Sequence, residues 1–276
     1  MLKRVLLIIG MTAFILAVSV LWDQKFGSLY SPFQVFRDSR LIFIITSIAG
    51  AALGITAGII KNVLSSRKTN LQQERHSIDS ILEHWGTAVG IFILTVSGIQ
   101  IHYHTGLPAI KLHFLGILIT LLFGCYFLAD FIVSRKYRTL LPDLKDIIDG
   151  TVRKYLFRFK FKETGKYLAS QKASFLLFVI LGAVILVTGV IKLLFFYITI
   201  SFSLFKTATK IHDISAYLFM GLLAVHILLV VARRTNWPLL LSWFNGKTPE
   251  GHETQTKTTG FKSKGSGDNN IHGAGK

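Results

Sequence analysis

Cysteine is almost absent: Cys125 is the one thiol in 276 residues. That excludes an intramolecular disulfide, a Cys-rich zinc site, a thiolate-ligated iron–sulfur cluster and haem c attachment through CxxCH. Proline is scarce, at 5 residues, and acids number 14 against 31 Lys and Arg. Charged residues make up only 16% of the chain, where a soluble domain carries about 25%. The net charge of +17 resembles that of a nucleic-acid binder. The basic residues, however, stand between long apolar runs, with 51% hydrophobic residues and a mean hydropathy of +0.52. This is how an integral membrane protein is charged on its cytoplasmic side, and no nucleic-acid partner is expected.

A spanning helix needs about 20 mostly apolar residues. Six runs qualify: Val5–Trp22, Leu41–Ile60, Ile81–Tyr103, Leu112–Val133, Ala173–Ile198 and Ile211–Ala232. The first could serve as a signal peptide, with Lys3 and Arg4 ahead of it and Ala17-Val18-Ser19 as a weak cleavage site, but its length favours a retained helix. Of the 31 Lys and Arg, 24 fall in the N-terminus, the loop after the second run, the loop Arg135–Lys172 and the tail from Arg233. The alternate loops hold 6, and Lys192 lies within a run. The larger set faces the cytoplasm by the positive-inside rule, which puts both termini there. Gly50, Gly54 and Gly58 form a helix-packing stripe on the second run. Apolar residues from Leu141 to Val152 behind Pro142 predict a short interfacial helix. The tail after Trp243, rich in Gly, Lys, Thr and Asn, reads as disordered.

Ionisable residues at membrane depth are rare and point to function. Four of the nine histidines fall within or at the edge of the last four runs: His84, His113, His212 and His226. His212 and His226 are 14 residues apart, about 21 Å along one helix face. Depth sorts the four into an outer pair, His113 with His212, and an inner pair, His84 with His226. Two imidazoles facing each other across a bundle, with no thiolate near, suit the axial positions of a haem iron. Two stacked pairs would carry electrons through the bilayer. Gly86, Gly90, Gly98, Gly116 and Gly221 lie in the same runs, where they either make room for a macrocycle or simply pack helices. His102 shares the His84 face and is a rival outer ligand. His76 is assigned to the inner loop, and His252 and His272 to the tail.

Several stretches together resemble a known family. They are Arg75–Gln100, Lys111–Ile117 (KLHFLGI), Gly165–Lys172 (GKYLASQK), Val187–Ile191 (VTGVI) and Lys210–Leu229. The chain from about Arg75 to Lys247 resembles the membrane-embedded cytochrome b (gamma) subunits of respiratory formate dehydrogenases. Related prokaryotic di-haem cytochromes b serve hydrogenases and thiosulfate reductases. The resemblance implies two haem b, the outer held by His113 and His212 and the inner by His84 and His226. It also implies a quinone, menaquinone or ubiquinone, beside the inner haem at the segment Lys166, Tyr167, Ser170, Gln171 and Lys172. This chain has Leu168-Ala169-Ser170 where the family commonly has Asn-Ala-Gly, which weakens an identical quinone site. Arg75, Lys172, Arg233 and Arg234 could meet haem propionates or simply anchor the spans.

The expected fold is an all-α integral membrane protein of the prokaryotic cytoplasmic membrane. Residues 1–74 would supply two N-terminal transmembrane helices, 75–247 a four-helix di-haem bundle, and 248–276 a disordered basic cytoplasmic tail. The expected role is electron transfer between quinone and an outer-face iron–sulfur subunit or multihaem cytochrome c. The alternatives are a haem-free anchor or assembly subunit and a transmembrane ferric or ascorbate-type di-haem reductase. A transporter is disfavoured, since neither a broken-helix pair nor an acidic coupling site is read; Asp130 is placed in the last turn of its helix.

Overall fold

Residues 40–65, 76–103, 107–157, 167–232 and 237–245 are described by the computed structural model. The run Val5–Trp22, the tail with His252 and His272, and also Arg75, His104, Lys166, Arg233 and Arg234 lie outside the described residues. Among the described residues all regular structure is helical. Lipid offers no partner for a backbone N–H or C=O, so each long apolar run closes its own hydrogen bonds as a helix.

Among the described residues five helices are long and apolar enough to cross a membrane. They are α1 (Arg40–Ser65), α2 (Ile78–His102), α3 (Leu107–Val133), α7 (Ala169–Leu194) and α8 (Phe202–Ala232). Between α3 and α7 the chain makes short turns α4 (Tyr137–Leu140), α5 (Leu144–Ile147) and α6 (Lys154–Leu156), the last two joined by π-helical residues Ile148–Arg153. The helix expected over this stretch is therefore broken into short turns. Asp143 caps α5, its carboxylate accepting from the Asp146 N–H at 2.6 Å. Among the described residues the last helix is α9 (Trp237–Asn245), after α8.

Each of these spanning helices begins before its apolar run, and at two of them a side chain caps the start. α7 starts at Ala169, where Gln171 Oε1 accepts the Leu168 N–H at 3.1 Å. α8 starts at Phe202, with Ser201 Oγ accepting the Leu204 N–H at 3.2 Å. Each bond satisfies an orphan donor at a helix start.

The helices pair as α1 on α3, α2 on α3 and α7 on α8. The glycine stripe of α1 makes the first contact. A Cβ on Gly54 would meet the Tyr126 carbonyl and come within 2.8 Å of Ala129 Cβ, and one on Gly58 would come within 2.7 Å of Val133 Cγ1. Only glycine lets the two backbones approach so closely. Phe43 of α1 and Phe114 and Leu118 of α3 form a core cluster that Leu193 of α7 joins. At the other end of α3, Arg135 adopts the left-handed conformation (φ 55) at a position usually given to glycine. The turn sends Lys136 back toward the bundle.

Candidate functional site

α2 and α3 run antiparallel, as do α7 and α8, so heights along the bundle follow from position. His84 lies two turns into α2, and His226 two turns from the end of α8. His113 and His212 occupy the opposite end. The structure places His226 within electrostatic range of His84, and His212 within range of His113.

At the His113 end the two rings are held alike. His113 Nδ1 lies 3.0 Å from Ser97 Oγ, and His212 Nδ1 lies 3.1 Å from Thr188 Oγ1. Each hydroxyl points its own proton at a carbonyl one turn back, Ser97 at Ile93 O (2.7 Å) and Thr188 at Val184 O (2.7 Å). The hydroxyl oxygen is thus left to accept, and Nδ1–H donates. His212 Nδ1 also donates to Ile185 O at 3.1 Å, and His113 to the Leu94 backbone. Both imidazoles are thereby fixed as the Nδ1–H tautomer, with the Nε2 lone pair available to a metal. Gly98 and Gly189, each following its hydroxyl residue, lie beside the rings: a Cβ there would make ordinary van der Waals contact, 3.9 Å from His113 Cε1 and 3.5 Å from His212 Cε1.

The His84 end is aromatic. His84 stacks on Trp243 of α9, centroids 4.4 Å apart, and Trp85 meets its edge at 5.5 Å. His76, buried at 2% exposure, also stacks on Trp243, at 3.8 Å. Trp85 Nε1 donates to the Trp243 carbonyl at 3.3 Å, fastening α9 to α2. His226 is exposed, with Phe178 at its edge, 5.7 Å away. His212, Phe219 and His226 repeat every seven residues along one face of α8, where Phe178 also meets Phe219 at 5.1 Å.

The glycines divide by role. Gly86, Gly90 and Gly116 lock α2 to α3, facing Phe123, Thr120 and Leu94. A Cβ on Gly124 or Gly221 would meet nothing. Gly124 shares the His113 face of α3, about 16 Å along the helix, toward the level of His226. Gly221 is half a turn from the histidine face of α8. The His113 and His212 imidazoles, held in a defined tautomer with Nε2 free of these bonds, have the donor chemistry that a haem iron takes.

His102 is exposed at the end of α2, its ring edge-on to Tyr103 and Tyr217. Of the segment before α7, Tyr167 and Ser170 are half-buried. Gln171 caps α7, and Lys172 Nζ pairs with Asp146 Oδ2 at 2.8 Å.

Sequence reading missed a buried charge cluster. Asp79 and Glu83 of α2 and Asp130 of α3 hold their carboxylates within 4.8 Å of one another. Lys61 and Lys136 both reach Asp130 Oδ2 at 2.5 Å, Lys136 reaches Glu83 Oε2 at 2.5 Å, and Lys61 pairs with Asp79. The two ammonium groups offset two of the three acids and occupy their oxygens, which leaves little for a cation to bind. Burial presses the Lys136 ammonium down, but Glu83 and Asp130 outweigh it and hold its pKa above the usual 10.5. Ser97 and Thr188 lie in the family-like stretches Arg75–Gln100 and Val187–Ile191, but their bonds to the histidines were not legible there.

Neither a curated protein nor a solved structure matches the chain. The prokaryotic cytochrome b561 family matches residues 75–244, a stretch that holds all four paired histidines, both hydroxyl–glycine motifs and Trp243. The match covers more than half of the sequence, and the chain belongs to the prokaryotic cytochrome b561 family, membrane proteins that bind haem b and transfer electrons.

Proposed function

We propose that this chain is a di-haem electron conduit. His84 and His226 would supply the axial ligands of an inner haem, and His113 and His212 those of an outer one. The observation that carries this reading is that four imidazoles from three helices lie at two heights, with His226 in electrostatic reach of His84 and His212 of His113. Bound haem b supplies one-electron chemistry at each level. The protein's own part is to present Nε2 and to fix each ring. At the outer level Ser97 and Thr188 hold the tautomer, and at the inner level Trp243 holds the plane of His84. The positive-inside count puts the His84 end at the cytoplasmic face of a prokaryotic inner membrane, with both termini inside.

An iron–sulfur subunit or multihaem cytochrome c at the outer face would exchange electrons with a menaquinone or ubiquinone at the inner one. Support for the quinone comes from the resemblance of Gly165–Lys172 to the quinone segment of formate dehydrogenase gamma subunits. Tyr167 and Ser170 are its half-buried members, while Gln171 and Lys172 also serve the start of α7. Arg75 and Lys166 belong to the same proposal.

A pyridine haemochrome assay tests the reading: about two haem b per chain are expected, from one per imidazole pair. His84→Ala and His226→Ala should each remove the same haem, and His113→Ala and His212→Ala the other. Loss of the same haem from His84→Ala and His113→Ala would overturn the pairing. Reduction of the purified haems by quinol tests the quinone arm.

A further inference from the structure

The family match begins at residue 75, yet α1, ahead of it, is built into the same bundle. Its last turns carry Lys61, whose ammonium enters the charge cluster and bridges Asp79 of α2 to Asp130 of α3. Asp130 is fully buried and Glu83 is 5% exposed. Three carboxyl groups there face two ammonium groups, and Glu83 immediately precedes His84 on α2. Lys136 also reaches Ser80 Oγ at 3.4 Å, so both ion-paired acids on the first two turns of α2, Asp79 and Glu83, are held by Lys61 or Lys136, and Glu83 also meets Asp130 directly.

Removing one partner of a buried ion pair leaves a charge uncompensated in a medium of low dielectric. Without Lys61, three acids would face Lys136 alone. The first turns of α2 would have to shift to bring water or another cation to Asp79 and Asp130. His84 sits on the next residue after Glu83 and would turn with them. The glycine contacts of α1 with α3 fix how far Lys61 reaches, since Gly58 lies less than one turn before it.

We propose that Lys61 is a positioning residue for His84, and that α1 is therefore part of the haem-binding unit although it lies outside the family match. This rests on the reading of His84 and His226 as ligands of one haem.

The test uses the full chain in native membranes, with low-spin EPR and potentiometric titration of the two haems. His226→Ala and His212→Ala identify which signal belongs to which pair. Lys61→Met should shift the g-values and midpoint potential of the His84/His226 haem, or lose its signal, and leave the His113/His212 haem unmoved. The g-values report the orientation of the imidazole planes, which a charge acting through space does not turn. Lys61→Met with Asp130→Asn restores the balance of one excess acid and should return the signal toward wild type, and Lys61→Arg should do the same. Wild-type signals in membrane-inserted Lys61→Met, or equal loss of both haems, would overturn the inference. A wild-type chain lacking two haems would overturn the haem reading itself, and that result is separate because it appears before any Lys61 variant is made.

Discussion

Trp243 lies against the ring of His84, centroids 4.4 Å apart and planes 27° from parallel, and it is the side chain that links this ligand candidate to the C-terminal helix. The contact joins residues at opposite ends of the family match, and His76 stacks on the same indole.

Stacked aromatic pairs contribute about 0.5–1.5 kcal/mol beyond their buried area. Trp243→Ala should free the His84 ring to rotate, broaden the EPR signal of the haem it binds and weaken that haem's retention in detergent. Trp243→Phe should preserve most of both. Unchanged spectra in Trp243→Ala would show that the stack does not orient the ligand.

Ser97 and Thr188 accept Nδ1–H bonds, which makes each imidazole a stronger electron donor to a metal at Nε2. Ser97→Ala and Thr188→Val should raise the midpoint potential of the outer haem. Each single change should be modest, on the order of 1 kcal/mol, because a backbone carbonyl still accepts from the ring. Redox titration of the double variant should show a larger rise than either alone. A fall in potential would reverse the donor assignment.

Close backbone approach makes Gly54 intolerant of a side chain. Gly54→Leu should push α1 off α3 and destabilise the protein by about 1–3 kcal/mol. Gly221 faces open space, so Gly221→Ala should be neutral or stabilising by up to about 1 kcal/mol. Thermal melts followed by haem absorbance distinguish the two, and equal melting temperatures would contradict the packing.

Lys136 titrates above its ordinary 10.5 because Glu83 and Asp130 outweigh burial. A folded-state pKa above the unfolded one means that this stabilisation is complete below 10.5 and is lost as pH rises through the higher folded value. Lys136→Met should be less stable at neutral pH and should lose less stability on the way to strongly alkaline pH. Parallel wild-type and variant melting curves across that range would refute the coupling.

Run length made the five spanning helices legible, because lipid leaves a long apolar segment one way to satisfy its backbone. Their starts were less so. Lys206 and Lys210 made the first turns of α8 read as loop, yet the helix continues through them from Phe202. The histidine heights could be read because a helix converts residue number into depth. The charge cluster could not. Lys61 and Asp130 are 69 residues apart and Lys136 and Glu83 are 53 apart, and only the register of α1, α2 and α3 brings them together. Trp85 and Trp243, 158 residues apart, were hidden for the same reason.

The seven-residue rhythm of His212, Phe219 and His226 ties both ligand candidates of α8 to a single face. One extra amino acid inserted between positions 212 and 226 would rotate everything beyond it by about 100° and carry one imidazole round toward lipid. This stretch should therefore tolerate exchange of its lipid-facing apolar residues far better than any change in length.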